Sequence, residues 1–533
     1  MLMFVEPVLD RQQCCFLQAT LEESIPLEHP VRVFDFVLDQ HDWSAWRRLY
    51  GAGGRPAYPP DVMCKLLVYG YSIGMRSSRA LEHACQNNRD FIWLMQGRAP
   101  DHDTIANFRR DHRGEFKKIF RDSVAACVEA GMVSLKHLAV DGTRVRAQSG
   151  RNQTRTAQQI ESMLQQLGER LEKVLKEAEV TDQQEDLLFG QHHTPHQLPK
   201  ELRDLKRRQA ALQQALKKVQ AKAAAAQRHG DSEKEVAAKR VPITDVDADV
   251  MKDKQGNYGP NYTPFLGVES SHQVIVSEGV TNQQTDDGHL VTALEEAEDL
   301  SGQAVEQVQT DSGYSTPANL IYLEEAGIDP CMAPHGESME RRKNSTPPWP
   351  TEVPGHVPHT SGALVDGTTL PRDAKGRFEK STFRYEAEHD RYVCPLGQVL
   401  KRRSAHNRQL RSGLVRYTTY QCEACGGCPW VSVCTEQQAG RSVKRAEHDE
   451  VYERHAERMK DAQRRADYRL RGQTVEPAIG ILKYVLKLQQ FLLRGLEGVR
   501  AEWSLACAGF NLKKLARILG PPGVKVGLAG FSG

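Results

Sequence analysis

The sequence predicts an α/β protein: a mixed-sheet domain interrupted by two insertions and preceded by an all-helical module. Three observations lead there. Two apolar, strand-like stretches end at an aspartate, LAVDG and VQTDS, with further strand and helix patterns between them. Residues from about 28 to 130 carry apolar positions at helical spacing. A long charged stretch with 3–4 periodicity (about 155–240) and a cysteine-rich one (about 380–445) interrupt the rest.

At 533 residues the chain exceeds one compact core, and two to four domains are expected. No uninterrupted apolar run reaches the roughly 18 residues of a spanning helix, so no membrane partner is expected. The opening residues, MLMFVEPVLDRQQCC, show neither a basic leader nor a cleavage site, and a cytoplasmic location is expected. The formal charge of +2 excludes no class of partner, because charge can be segregated along the chain. Twelve cysteines, five of them in one short region, point to a metal site in a reducing compartment rather than to disulfides.

Taken in order, Pro60 suits a helix start, with Val62, Leu66 and Leu67 and then Leu81, Ala84 and Cys85 on apolar faces. In PDHDTIANFRRDHRGEFKK, Asp103 or Thr104 is the expected N-cap of a helix with a basic face of Arg109, Arg110, Arg113, Lys117 and Lys118. Such a module suits DNA docking; a solvated charged face is the plainer reading. LKHLAVDGTRVRA reads as a strand. Residues 155–240 read as an antiparallel helical hairpin broken by GQHHTPHQLP, whose His192, His193 and His196 suit a polar linker more than a metal. Strands follow in YTPFLGVES, HQVIVSEGV and VEQVQT, with helices in DDGHLVTALEEAEDL and PANLIYLEEAG. Residues 334–380 read as loop or disorder, 448–518 as helical and basic, and the end as a loose tail.

Asp141 and Asp311 each end a strand, and Glu476 opens the helical segment VEPAIGILKYVLKL. Alone, each has an ordinary reading: a turn, an Asx turn, a helix N-terminus. Together they can surround one point with three carboxylates, a hard oxygen set suited to Mg²⁺ or Mn²⁺ and to in-line phosphoryl displacement. A second acidic run, Asp245, Asp247 and Asp249, fails as a calcium loop because Val250 stands where Gly is needed and Gly256 where Glu is needed. It reads as a polar loop.

LAVDGTRVRA, GPNYTPFLGVES, VQTDSGYSTPANLIYLEEAGI and the block YRLRGQTVEPAIGILKYVLKLQQFLLRGLEGVRAEW together resemble the bacterial insertion-sequence DDE transposases, within the IS-five superfamily its eleven-eighty-two group. The helical module with DHDTIANFRR is similar to that family's N-terminal domain. The resemblance implies an RNase H-like catalytic domain with the triad Asp141, Asp311 and Glu476 holding two Mg²⁺ or Mn²⁺ ions. It also implies phosphate contacts from Tyr468, Arg471, Lys483 and Arg494. The Arg471-to-Glu476 spacing is one residue longer than the family form, which makes Arg469 a rival for the arginine role. Glu502 is the rival for the third carboxylate. The implied partners are double-stranded DNA, as terminal inverted repeats and target, and a second copy of the chain or more.

Cys394 and the run Cys422, Cys425, Cys428, Cys434 offer five ligands for the four places of a structural Zn²⁺; a reduced metal-free cluster is the alternative. The neighbouring KRRSAHNRQLRSGLVR suggests that this insertion touches DNA. The scattered Cys14, Cys15, Cys64, Cys85, Cys127, Cys331 and Cys507 read as buried small apolar residues. Expected boundaries are 1–130 for the helical DNA-binding domain; 131–154, 241–333 and 448–518 for the catalytic domain; 155–240 for the hairpin; 334–447 for the flexible loop and cysteine-rich insertion; and 519–533 for the tail. The rivals to a transposase are a nuclease of the same fold that cuts without joining, an inactive DNA-binding derivative, and a zinc-ribbon transcription factor, which leaves the strand–Asp patterns unexplained.

Overall fold

The computed structural model describes residues 20–50, 56–189, 200–228, 230–252, 256–285, 287–334, 347–373, 375–410 and 413–519. His192, His193, His196, Cys14, Cys15 and the expected tail beyond Leu519 lie outside them. The chain opens with helices α1 Pro30–Asp39, α2 Pro60–Ser72, α3 Ser78–Asn87, α4 Arg89–Leu94, α5 His102–Asp111 and α6 Phe116–Glu129. Strands β1 His137–Gly142, β2 Val145–Arg146 and β3 Thr154–Arg155 precede the long helices α7 Ala157–Phe189 and α8 Lys200–Arg228. Then come β4 Val241–Pro242, β5 Asp249–Lys252, β6 Tyr258–Glu269, β7 Ile275–Thr281, α9 Leu290–Ser301, β8 Gln307–Thr310, α10 Pro317–Ala326 and β9 Asp329–Met332. Short strands follow, β10 His356–Pro358, β11 Leu364–Asp366, β12 Arg384–Glu386 and β13 Arg391–Val393, and then the long β14 Val399–Leu410 and β15 Gly413–Cys422. The chain continues with β16 Ser442–Ala446, α11 Asp449–Arg458, α12 Ala462–Gly480 and α13 Leu496–Leu519, short helical turns aside. Two compact units result: one from the described residues of Met1–Arg155, Val241–Glu306 and Arg471–Gly533, the other from those of Thr156–Arg240 and Gln307–Leu470.

In the first unit β6 is the central strand. It pairs antiparallel with β1 (Asp141 opposite Leu266) and with β7, and its N-terminal end pairs with β2 and β5. Its residues are buried almost throughout, so both faces of the strand are covered. Helix α13 is buried on nearly every face. At Gly509 an added Cβ would lie 3.0 Å from Ser72 N and 3.1 Å from Val68 O, so only glycine lets α2 come this close to α13. The N-terminal helices are therefore packed into the same unit as β1–β7 and do not stand apart.

Three local expectations change here. The N-cap of α5 is Asp101, whose carboxylate accepts Thr104 N–H at 2.6 Å, rather than Asp103 or Thr104; Asp101 has the extended backbone that a cap needs. Arg109 is not on a basic face: it is 5% exposed and donates to Tyr71 Oη (3.2 Å) and Arg76 O (2.9 Å). Arg113, Lys117 and Lys118 are spent on Glu497, on Glu278 with Glu296, and on Glu115. Glu476 does not open a helix but lies inside α12, one residue before Pro477. Pro477 has no N–H for Gln473 O, and Gln273 Nε2 donates to that carbonyl at 2.8 Å instead.

In the second unit α7 and α8 form the expected hairpin, with Ile160 and Leu167 and then Leu202, Leu205, Leu212 and Val219 buried, and Arg170 paired with Glu201. Strands β8 and β9 are parallel and joined through α10. Residues 347–373, expected as loop, hold the β10–β11 hairpin and contribute Trp349 and Val357 to a core with Phe378, Tyr392, Tyr420 and Trp430. The cysteine-rich stretch is a five-stranded antiparallel sheet in the order β12–β13–β14–β15–β16, which the sequence patterns did not announce. Cys64, Cys85, Cys127, Cys331 and Cys507 are buried, as expected.

Candidate active site

Strand β1 delivers Asp141 at its end, where the carboxylate accepts Gly142 N–H at 2.8 Å. Its other oxygen accepts Arg471 Nη1 at 2.8 Å, and Arg471 Nη2 lies 3.5 Å from Glu476 Oε1. One guanidinium on α12 thus spans the two carboxylates. Asp141 and Arg471 are mostly covered, while the Glu476 side chain is 59% exposed. A planar fork between two carboxylates neutralises charge that would otherwise repel.

Lys483 lies beyond α12 in a single π turn, Ile481–Val485, and not on a continued α-helical face. Its ammonium donates to Thr143 Oγ1 (3.0 Å) and Arg144 O (2.9 Å), so it grips the loop directly after Asp141. Arg144 donates to Thr263 Oγ1 at 2.6 Å and to Gln284 O, fastening that loop to β6. Arg144 and Gln273 are the supports that the sequence did not single out; both act on partners far along the chain. Arg494 is exposed and donates to Gln148 O at 3.2 Å. Arg110 is exposed and paired with the adjacent Asp111. Asp245 accepts Tyr262 Oη–H (2.7 Å) and Gly495 N–H (3.1 Å), and Asp247 accepts Leu496 N–H (3.0 Å), so this polar run anchors the start of α13.

Glu502 is placed very differently from Glu476. It is 0% exposed, pairs with Arg76 Nη1 at 2.7 Å, and accepts the N–H groups of Leu492 and Leu493 at 2.8 and 3.1 Å.

Asp311 belongs to the second unit, one residue past β8 and partly exposed. Its Oδ1 accepts Gly313 N–H at 2.8 Å, the Asx turn that TDSG suggests, and a Cβ on Gly313 would lie 2.9 Å from that oxygen. In the part of α12 within this unit, Tyr468 is half-buried and Arg469 exposed.

Also in the second unit, Cys394, Cys422, Cys425, Cys428 and Cys434 line one small cavity beside Phe378, Phe383 and Trp430, all five as free thiols. Gln398 N–H points at Cys394 Sγ (3.3 Å) and Arg441 N–H at Cys425 Sγ (3.4 Å). Burial pushes the thiols of Cys422 and Cys434 up to about 12; Arg441 opposes the shift at Cys434, while neighbouring cysteines add to both. Among the described residues no three His, Cys, Asp or Glu side chains are drawn together closely enough to hold a metal ion as they stand. Nor is any described helix long and apolar enough to cross a membrane.

No curated protein and no solved structure matches the chain. Two family models do. Residues 393–516 match "Transposase DDE domain", a span that includes the cysteine cluster, Arg471, Glu476, Lys483 and Glu502. Residues 19–111 match "Transposase domain (DUF772)", which covers the first five helices. Both descriptions are of transposase domains, and together they support a DDE-type transposase.

Proposed function

We propose that the chain is an insertion-sequence transposase of the eleven-eighty-two group. It binds the terminal inverted repeats, hydrolyses a phosphodiester at each end, and joins the freed 3′-hydroxyl to target DNA. The observation that carries this reading is the Asp141–Arg471–Glu476 constellation, with the second half contributed by a stretch that matches a DDE domain. The antiparallel run β1–β6–β7 and the parallel β8–α10–β9 unit support an RNase H-like catalytic fold. The match over residues 19–111 supports DNA recognition by the N-terminal helices, with Arg110 retained as a contact and Arg109 withdrawn to the core.

The donor set Asp141, Asp311 and Glu476 consists of carboxylate oxygens, which fits Mg²⁺ or Mn²⁺. When bound, such ions supply charge to the anionic phosphate and acidify the attacking water or hydroxyl. Arg471 keeps Asp141 and Glu476 facing each other across one cationic group. Lys483 and Arg144 hold the loop after Asp141 in place, so the carboxylate presents a fixed oxygen to the reacting phosphate. Arg494, exposed on the same unit, and Tyr468 with Arg469 further back on α12 suit phosphate contacts. No protein nucleophile is required. The five thiols lining one cavity are the soft donors that a structural Zn²⁺ takes, and four of the five would have to draw closer to ligate it. Two transposon ends must be held together, so a dimer or larger assembly on DNA is expected, with the α7–α8 hairpin as an interface.

Asp141→Asn and Asp311→Asn, tested separately, should each abolish strand transfer while leaving binding to the terminal repeats within about twofold. Full joining activity in either variant rules out the assignment.

A further inference from the structure

The longest strand pair of the second unit is not used by the cleavage site. β14 and β15 pair antiparallel from Leu400 opposite Cys422 to Leu410 opposite Gly413. Their outer neighbours stop early: β13 reaches β14 only at Val399 and Leu400, and β16 covers β15 only from Tyr417 to Gln421. From Lys401 to His406 β14 is therefore the free edge of a three-stranded sheet, and from Asn407 and Arg416 onward the two strands run on as a ribbon with no third strand among the described residues. Every residue from Lys401 to Arg408 is exposed, so neither face of that part of β14 packs on a core.

Folding energetics give no reason for such a ribbon, since a two-stranded hairpin without a buried face is marginal in water. Its charge is one-sided. Residues 399–422 hold six Lys or Arg, one His, and no Asp or Glu, in a chain whose total charge is only +2. An ordinary solvated surface mixes both signs. Arg402 is paired with Asp390 and Arg403 with Gln421, but Lys401, Arg408 and Arg416 make no ion pair among the described residues.

The register assigns the side chains to faces. Ser404 opposite Thr419, His406 opposite Tyr417 and Arg408 opposite Val415 share one face, with the His406 and Tyr417 rings stacked at 5.9 Å. Asn407 opposite Arg416 and Ala405 opposite Thr418 share the other. The bulge between Arg402 and Ser404 adds local twist. Each face thus presents hydrogen-bonding side chains flanked by cations.

We propose that the free end of the β14–β15 ribbon enters the major groove of double-stranded DNA with its Ser404–His406 face toward the base edges and with Lys401, Arg408 and Arg416 on the flanking phosphates. The groove is about 12 Å wide and admits a two-stranded ribbon, whose backbones are about 5 Å apart. The DNA polyanion supplies the negative charge that the ribbon itself lacks. This rests on the reading of the chain as a DNA-processing enzyme, and it adds a DNA contact separate from the N-terminal helices and the carboxylate site.

The test is binding of the full chain to a labelled DNA duplex, followed by anisotropy over a range of salt concentrations. Absence of binding by the wild type would count against the transposase reading itself and would overturn the ribbon with it. With the wild type binding, K401A/R408A/R416A should weaken affinity by about tenfold or more near 0.15 M salt and flatten the log K against log salt slope by about 2–3. The charge-conserving K401R/R408K/R416K should keep affinity and slope, which separates loss of charge from loss of fold. Unchanged affinity and slope in the alanine variant would overturn the ribbon proposal alone, as would equal loss in both variants. Methylation of guanine N7 in the major groove should interfere with binding, and duplex RNA, whose major groove is too narrow, should compete poorly. Competition by duplex RNA equal to that by DNA would also overturn the groove assignment.

Discussion

Two glutamates on the C-terminal block show how far one residue's surroundings decide its role. Glu502 is enclosed and bound to Arg76 and two backbone N–H groups, whereas Glu476 stands open beside Arg471. Glu502→Ala leaves the Arg76 guanidinium buried without its partner and should lower unfolding stability by about 3–5 kcal/mol, read from denaturant midpoints. Glu476→Gln loosens only the 3.5 Å contact of an exposed carboxylate with Arg471 and should shift stability by about 0.5 kcal/mol or less while abolishing DNA cleavage. The reverse pattern would exchange the two roles. The sequence offered both residues as carboxylates in one block and could not separate them, because Arg76 lies 426 positions away. Arg109 misled for the same reason: helical spacing put it on a basic face, while its partners Tyr71 and Arg76 come from elsewhere in the chain. The placement of Asp141 and Asp311 at strand ends was legible because each sits at a local signal; the bridge from Arg471 to Asp141 and Glu476 was not.

Among the elements, those that bury at least one face were the readable ones. The α7–α8 hairpin shows its seam as a 3–4 repeat, and β1, β6 and β7 as apolar runs. The sheet β12–β16 gave no such pattern, because β14 is exposed on both faces and its polar string KRRSAHNR carries no period-2 burial. Helix α11 carries a testable pH response. His455 Nε2 faces Met332 O at 3.0 Å, while its buried Nδ1 has no partner among the described residues, so the neutral ring with Nε2–H donating suits the site. Burial, above all, holds its pKa below the usual histidine value. The unfolded chain therefore binds the proton more readily. This contribution to stability is complete above about pH 6.5 and is lost as pH falls through the depressed folded value. Thermal unfolding followed from pH 7.5 to 5 should show a loss that His455→Gln reduces; an identical pH profile in that variant would exclude His455 as its source. The structural zinc proposed for the cysteine cavity should appear as about one tightly held metal per chain, measurable by metal analysis after dialysis. With the buried thiols raised, binding should release protons and weaken as pH falls. A zinc content near zero, with stability indifferent to chelators, would leave a metal-free cluster.

For the whole molecule, the near-neutral charge hides a division of labour that composition could not reveal. Acidic and basic side chains neutralise one another around α5 and α6, where Lys117 meets Glu278 and Glu296, while β14 and β15 carry cations alone. The two family matches fall at opposite ends of the chain, over residues 19–111 and 393–516, and Asp141 and Asp311 lie in the stretch between them. The central claim, as proposed above, is that the chain cleaves and joins DNA in a metal-dependent reaction that needs these carboxylates. Its most direct test is incubation of the full chain with a duplex carrying the flanking terminal repeat and a labelled 3′-end, with Mg²⁺, Mn²⁺ or EDTA. The account predicts nicking at the element's end followed by joined products with either metal, and neither with EDTA. Sequence-specific binding without cleavage in any metal, or cutting that never yields joined products, would contradict it.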